Sequence, residues 1–156
     1  MAEPFSHLDD EGHAHMVDVG GKQITRRRAV AEAVIEMSSD VKRRLFAGDL
    51  PKGDALAVTR VAAIMGAERT SDLIPLCHPI GLDSVEVAVT KVDAGARIEV
   101  TCEVEARTGV EMEAMTGASV GALTLYDMIK GLDRGAQVGL VRLLAKSGGR
   151  SGDWTR

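Results

Sequence analysis

The chain has 156 residues, enough to bury a core of its own without a disulfide or metal staple. Hydrophobic residues make up 45% and charged residues 27%, as in an ordinary globular protein, and a net charge of -4 excludes a molecule built to capture nucleic acid by charge. Aromatic residues are only 3%, too few for a base-stacking platform.

No apolar run approaches the ~18 residues a membrane span needs. Residues 1–20 are polar and read as an extended N-terminal arm, not a secretory leader, so the expected location is cytoplasmic, with Cys77 and Cys102 as reduced thiols. Thr25, Val30, Val34 and Ile35 predict a strand between Gln23 and Met37. Ser38-Ser39-Asp40 supplies N-cap residues for a short helix over Val41–Phe46, stopped at Gly48. After the loop at Pro51-Lys52-Gly53, Asp54 can cap a second helix over Ala55–Ala67. Leu76-Cys77-His78 is bracketed by Pro75 and Pro79 and must run extended. Val85–Thr90 and Ile98–Val104 alternate strictly around Asp93-Ala94-Gly95, a hairpin with one wet face. Thr108 and Glu111 have capping-box spacing at the head of a long helix running to about Arg134. Val138–Leu144 reads as a last strand, and 147–156 as a Gly-rich C-terminal tail.

This order predicts a single α+β domain over 1–156. The arrangement expected is ferredoxin-like βαββαβ, a four-stranded antiparallel sheet with helices packed on one face. Oligomer packing is the expected use of the open sheet face.

The candidate site residues are scattered. Asp127 and Lys130, three apart on a helix, share a face and read either as a surface ion pair or as an acid-base pair. Glu111 and Glu113 lie in the first turn of the same helix, where acids suit the dipole. Glu113 and Asp127 are 14 residues apart, ~21 Å along a helix, so they cannot share one small pocket within one copy. Lys52, in its Pro/Gly loop, is either solvated or a cation for phosphate. His78 beside Cys77 can titrate near neutrality or be purely structural. Arg26-Arg27-Arg28 reads as strand-edge charges or as a fork for polyphosphate, with Arg26 and Arg28 on one face. Lys146-Ser147-Gly148-Gly149-Arg150-Ser151-Gly152 has the composition of a backbone anion nest with two cations, or is a floppy C-terminal tail. Two cysteines 25 apart, with no His pair at ligand spacing, predict no metal site.

Six strings then occur in one order: Met16-Val17-Asp18-Val19, Lys52-Gly53-Asp54, Asp72-Leu73-Ile74-Pro75-Leu76-Cys77-His78-Pro79, Thr108-Gly109-Val110-Glu111-Met112-Glu113-Ala114-Met115-Thr116, Leu125-Tyr126-Asp127-Met128-Ile129-Lys130 and Lys146-Ser147-Gly148-Gly149. Together they resemble the MoaC family, the cyclic pyranopterin monophosphate synthases of molybdenum cofactor biosynthesis. The resemblance spans nearly the whole chain. It implies a lyase that converts a cyclised dihydro-GTP nucleotide to cyclic pyranopterin monophosphate with release of diphosphate. It implies a homo-oligomer, a hexamer built as a trimer of dimers with shared active sites, and neither nucleic acid nor membrane as partner. By motif, Asp127, Lys130 and Lys52 match catalytic positions. Leu76, Cys77, His78, Glu111, Met112, Glu113 and Lys146 match or flank pocket positions, and Arg26 is the candidate from the basic run.

The expected chemistry is proton transfer by lysine, tuned by Asp127, with no required cofactor and at most a divalent cation carried by the triphosphate. A lysine crowded by other cations is expected to have a lowered pKa. The chain departs from the family pattern at Glu68, where lysine is expected, and at Gly117, Gly121 and Gly131, where alanine is commoner. A nucleotide-binding regulatory module without turnover is the alternative reading.

Overall fold

The computed structural model describes residues 6–156, so the first five residues of the expected arm lie outside the described residues. In chain order the elements are β1 (Thr25–Glu36), α1 (Ser39–Ala47), α2 (Ala55–Glu68), α3 (Thr70–Leu73), β2 (Ser84–Lys91), β3 (Gly95–Ala106), α4 (Glu111–Ile129), β4 (Gln137–Ser147) and β5 (Trp154–Thr155). The architecture is α+β: one open sheet in the order β2-β3-β1-β4-β5, every neighbouring pair antiparallel.

Local chemistry accounts for most boundaries. The Ser38 hydroxyl accepts from the Val41 amide at the head of α1, and Gly48, at φ 72°, closes that helix in a conformation side chains resist. The Asp54 carboxylate accepts from the Ala57 amide at 3.0 Å and starts α2.

The core lies between the sheet and the helices. On β1, Ala29, Ala31, Ala33 and Ile35 are buried, and in register beside them on β3 are Cys102, Val100, Ile98 and Ala96. Helix α4 lies across β1, β3 and β4, and α2 packs on α4 and β2. The two helices meet through small residues. A Cβ on Gly117 would sit 2.9 Å from the Ala63 carbonyl oxygen, and one on Gly66 would sit 2.7 Å from Val120 Cβ. The glycines that depart from the expected alanines at 117 and 121 therefore serve contact with α2 of the same chain; Gly131 has open space around it.

The opposite sheet face is polar. Glu32 of β1, only 4% exposed, is held by Arg97 of β3 and Arg142 of β4, and Arg97 also holds Glu99. Burial works to raise the Glu32 pKa, but the hydrogen bonds from Arg142 and Arg97 outweigh it and keep the carboxyl below its usual range. Glu32 and Glu99 are directly opposed in register, a repulsive pair made tolerable by the arginine between them.

The structure corrects four expectations. The sheet has five strands, not four. The C-terminal stretch is not a free tail, because Trp154 and Thr155 pair with Lys146 and Ala145. The capping box is absent: α4 begins at Glu111 behind Val110, with no side-chain cap, because the Glu111 carboxylate is engaged by Lys146 instead. Helix α4 also ends at Ile129 rather than near Arg134. The amides of Leu132 and Asp133 both turn back onto the Ile129 carbonyl, and the Asp133 carboxylate ties the exit to Gly135 and Ser38. Among the described residues no helix is long and apolar enough to cross a membrane.

Candidate functional site

A cavity of about 110 Å³ opens at the N-terminal end of α4, lined by Arg27, Arg28, Gly109, Val110, Glu111, Lys146, Ser147, Gly148 and Ser151. Strand β1 delivers its arginines by alternation. Arg27 is half-buried and is braced by the end of β3: its Nε and Nη2 donate to the carbonyls of Ala106 and Arg107, each at 3.1 Å. Arg26 and Arg28 take the other direction and both pair with Glu103 on the polar sheet face, at 2.5 and 3.4 Å. Arg27 and Arg28 nevertheless both border the cavity, and Arg26 does not.

Lys146, near the end of β4, is 3.0 Å from the Glu111 carboxylate and 3.2 Å from the Ser151 hydroxyl. The chain then turns through Gly148 and Gly149, at φ 89° and 77°. A Cβ at Gly148 would collide with the Arg26 carbonyl and one at Gly149 with the Arg27 guanidinium, so only glycine lets this turn lie against β1.

Behind the same helix end is a desolvated acidic cluster. Glu113 is 4% exposed; burial, reinforced by the neighbouring Glu111 charge, raises its pKa to about 7. Burial, with the Glu113 charge nearby, also pushes the Cys77 thiol up and the Cys102 thiol up to about 12, so neither is an activated nucleophile. The segment between the prolines does not run extended throughout: Pro75 and Leu76 form a turn that the Cys77 amide closes onto the Ile74 carbonyl at 3.2 Å. His78, half-buried just after it, has Nε2 2.7 Å from the Val17 carbonyl, so the arm crosses over this loop. Leu76 and Met112 are exposed.

The other charged cluster lies at the far end of α4. Asp127 Oδ1 is 2.7 Å from Lys130 Nζ, and Lys52 Nζ donates to the Asp127 carbonyl at 2.7 Å, with Oδ2 at 3.4 Å. The Lys130 hydrogen bond, followed by that of Lys52, holds the Asp127 carboxyl below its usual range, while Asp127 holds Lys130 above its own. The expected downward shift of a crowded lysine is therefore reversed in the single chain. These groups are exposed on their outer side.

So the structure joins Lys52, Asp127 and Lys130 in one cluster and Glu111 and Lys146 in another, with Cys77 close to Glu113 behind the second. Glu111 and Asp127 are separated by ~24 Å of helix at 1.5 Å per residue. Arg27, Arg28, Gly148 and Ser151 line the cavity too; the sequence offers them only as parts of the basic run and the anion nest, not as individual site residues. Their signal was present in the basic run and the Gly-rich stretch, but which face each side chain takes is set by strand pairing.

The MoaC family model matches residues 16–149. A Corynebacterium glutamicum (strain R) protein named cyclic pyranopterin monophosphate synthase is 51% identical over 151 residues, covering 97% of both chains. One from Roseiflexus sp. (strain RS-1) with the same name is 52% identical over 152 residues, covering 96% of both. A Mycobacterium bovis protein named cyclic pyranopterin monophosphate synthase 2 is 54% identical over 152 residues, covering 97% of this chain and 91% of its own.

Proposed function

The chain belongs to the MoaC family, and from that membership we infer that it is a cyclic pyranopterin monophosphate synthase, a lyase of molybdenum cofactor biosynthesis. It takes the cyclised dihydro-GTP nucleotide, rearranges it to cyclic pyranopterin monophosphate and releases diphosphate. The observation that carries the site assignment is the pair of charged clusters at the two ends of α4. One holds lysines and a carboxylate suited to proton transfer; the other offers a walled cationic cavity suited to phosphate.

A nucleotide cannot bridge ~24 Å of helix, so both clusters reach one substrate only where the ends of different copies meet. This supports a homo-oligomer with shared sites, which we read as a hexamer assembled from three dimers. In that setting Lys52 and Lys130 exchange protons with the substrate, and Asp127 orients them. A second copy's cations laid against this cluster would lower the Lys130 pKa that Asp127 alone raises. Arg27, Arg28 and Lys146 hold the phosphates and favour diphosphate departure, a role that geometry supports for Arg27 over Arg26. Glu113, His78, Cys77, Leu76 and Met112 shape the pocket beside them. The strand order β2-β3-β1-β4 with two long helices supports the ferredoxin-like reading, β5 being an addition at the edge. The domain is single and its location cytoplasmic in this reading. No resident cofactor is called for; a divalent cation, where one takes part, arrives on the triphosphate.

The test is to supply the cyclised dihydro-GTP intermediate to the purified protein and follow the tricyclic pterin and diphosphate. Product formation is expected. Binding without product would make this a nucleotide-binding regulatory module. Near-normal diphosphate release by both Lys130→Ala and Asp127→Asn would dispose of the catalytic assignment.

A further inference from the structure

The cavity at the head of α4 already holds counter-ions of its own. The Lys146 ammonium is taken by the Glu111 carboxylate, and at the cavity's edge the amide of the lining residue Gly148 donates to Asp153 Oδ1 at 3.3 Å. Gly148 and Gly149 both have positive φ, and with no side chain over it the backbone of this turn forms the cavity's seat. The seat's floor is fixed, because Gly149 rests on the Arg27 guanidinium that β3 braces. Asp153 is placed by structure rather than by chance. It is the last residue before β5, whose Trp154 pairs with Lys146, so a six-residue loop returns its carboxylate to the amide from which the loop departed. Gly148 itself lines the cavity together with Arg27, Arg28 and Lys146.

We propose that Asp153 is an affinity-determining residue of the phosphate seat: its carboxylate occupies the Gly148 amide while the seat is empty and is displaced by a phosphate group of substrate or by diphosphate. The inference rests on the synthase reading only for the identity of the anion. Its physical content is a competition between an internal and an external anion for one backbone donor, inside a cationic wall. The function of such a competitor is release. A seat with three cations and free amides would retain diphosphate after the reaction, and a tethered carboxylate a few ångströms away returns to the donor as the product departs.

The competition gives a sign opposite to that of an ordinary structural hydrogen bond. Asp153→Asn removes the charge but keeps an oxygen that can accept from the Gly148 amide, so the loop keeps its tie. Titrating each purified protein with inorganic diphosphate by calorimetry, we expect Asp153→Asn to bind about twofold to fivefold more tightly than the parent, the size of a partly exposed charge interaction. The gain should shrink as salt is raised toward 1 M, where the screening length falls to about 3 Å. Equal or weaker binding by Asp153→Asn at low salt, with an unchanged melting temperature, overturns the proposal. If its melting temperature falls, Asp153→Glu is titrated instead: it keeps the charge, so binding no tighter than the parent's is expected, and tighter binding overturns the proposal. Diphosphate binding is read directly, without turnover. Failure of the synthase reading would appear as absent product in the nucleotide assay, and failure of this inference as the wrong order of diphosphate affinities.

Discussion

The two ends of helix α4 differ in what encloses their charges. At the N-terminal end, β1, β4 and the glycine turn wall in a small cavity, and desolvation there is strong enough to raise Glu113 to about 7. At the C-terminal end, Lys52, Asp127 and Lys130 form a compact triad with solvent on its outer side. One end has walls and anion donors; the other has the lysines and carboxylate assigned to proton transfer but no walls. The rigid helix between the ends prevents one chain from folding them together, which is why the proposed site is shared between copies.

The strongest way to break this comparison is to disable each end in turn. Lys52→Ala and Lys130→Ala are each expected to lower kcat/KM by roughly 10²- to 10⁴-fold while leaving the folded assembly intact. Dissociating Lys130→Ala and Lys146→Ala proteins and reassembling them together should restore part of the lost activity, since some contacts then pair an intact head with an intact tail. Diphosphate release that stays at the level of the separate mutants would mean that each chain uses its own two ends.

Next in size is the desolvation at the walled end. The folded pKa of Glu113, about 7, lies above its free value of 4.5. Its contribution is therefore intact below pH 4.5, where both states are protonated, and is lost as pH rises through about 7, on the order of 3 kcal/mol in all. Urea unfolding of the parent should show that decline between pH 5 and 8. Glu113→Gln should remove it and be the more stable protein at pH 8. A parallel pH dependence in the two proteins would show that the carboxyl is better solvated than its burial suggests.

A smaller effect separates neighbouring arginines. Arg27→Ala should weaken diphosphate binding about tenfold or more, because charge-assisted hydrogen bonds to a braced guanidinium are lost. Arg26→Ala, which removes a surface pair with Glu103, should stay within about twofold of the parent. Calorimetric titration of both variants checks the direction of strand alternation. The smallest expected effect is that of Thr108→Ala: with no cap to lose, its thermal melt should shift by no more than ~0.5 kcal/mol of stability.

These positions also show what the sequence could and could not reveal. The hairpin of β2 and β3 was legible because strict alternation with a Gly turn has few other solutions, and α1 and α2 because Ser38 and Asp54 are each free to cap. Thr108 and Glu111 had the same kind of local signal, but Glu111 had a stronger partner in Lys146, 35 residues away in sequence, which no local pattern discloses. Within Arg26-Arg27-Arg28, alternation separates Arg27 from the other two but does not say which side meets the helices; the pairing of β1 with β3 decides that. The end of α4 is likewise set at a distance, by Asp133 reaching the Ser38 amide. Strand β5 is two residues long, too short for any periodicity to show.

Glu32 gives the sheet a safeguard against misassembly. Sliding β1 by one residue against its neighbours would carry this carboxylate into the aliphatic layer under α4 and strand two guanidinium groups outside, a penalty of about 3 to 5 kcal/mol for the buried unpaired charge alone. Many alanines and valines of β1 would tolerate such a slip sterically. A carboxylate clasped from both sides makes the correct alignment the one the nascent sheet can keep.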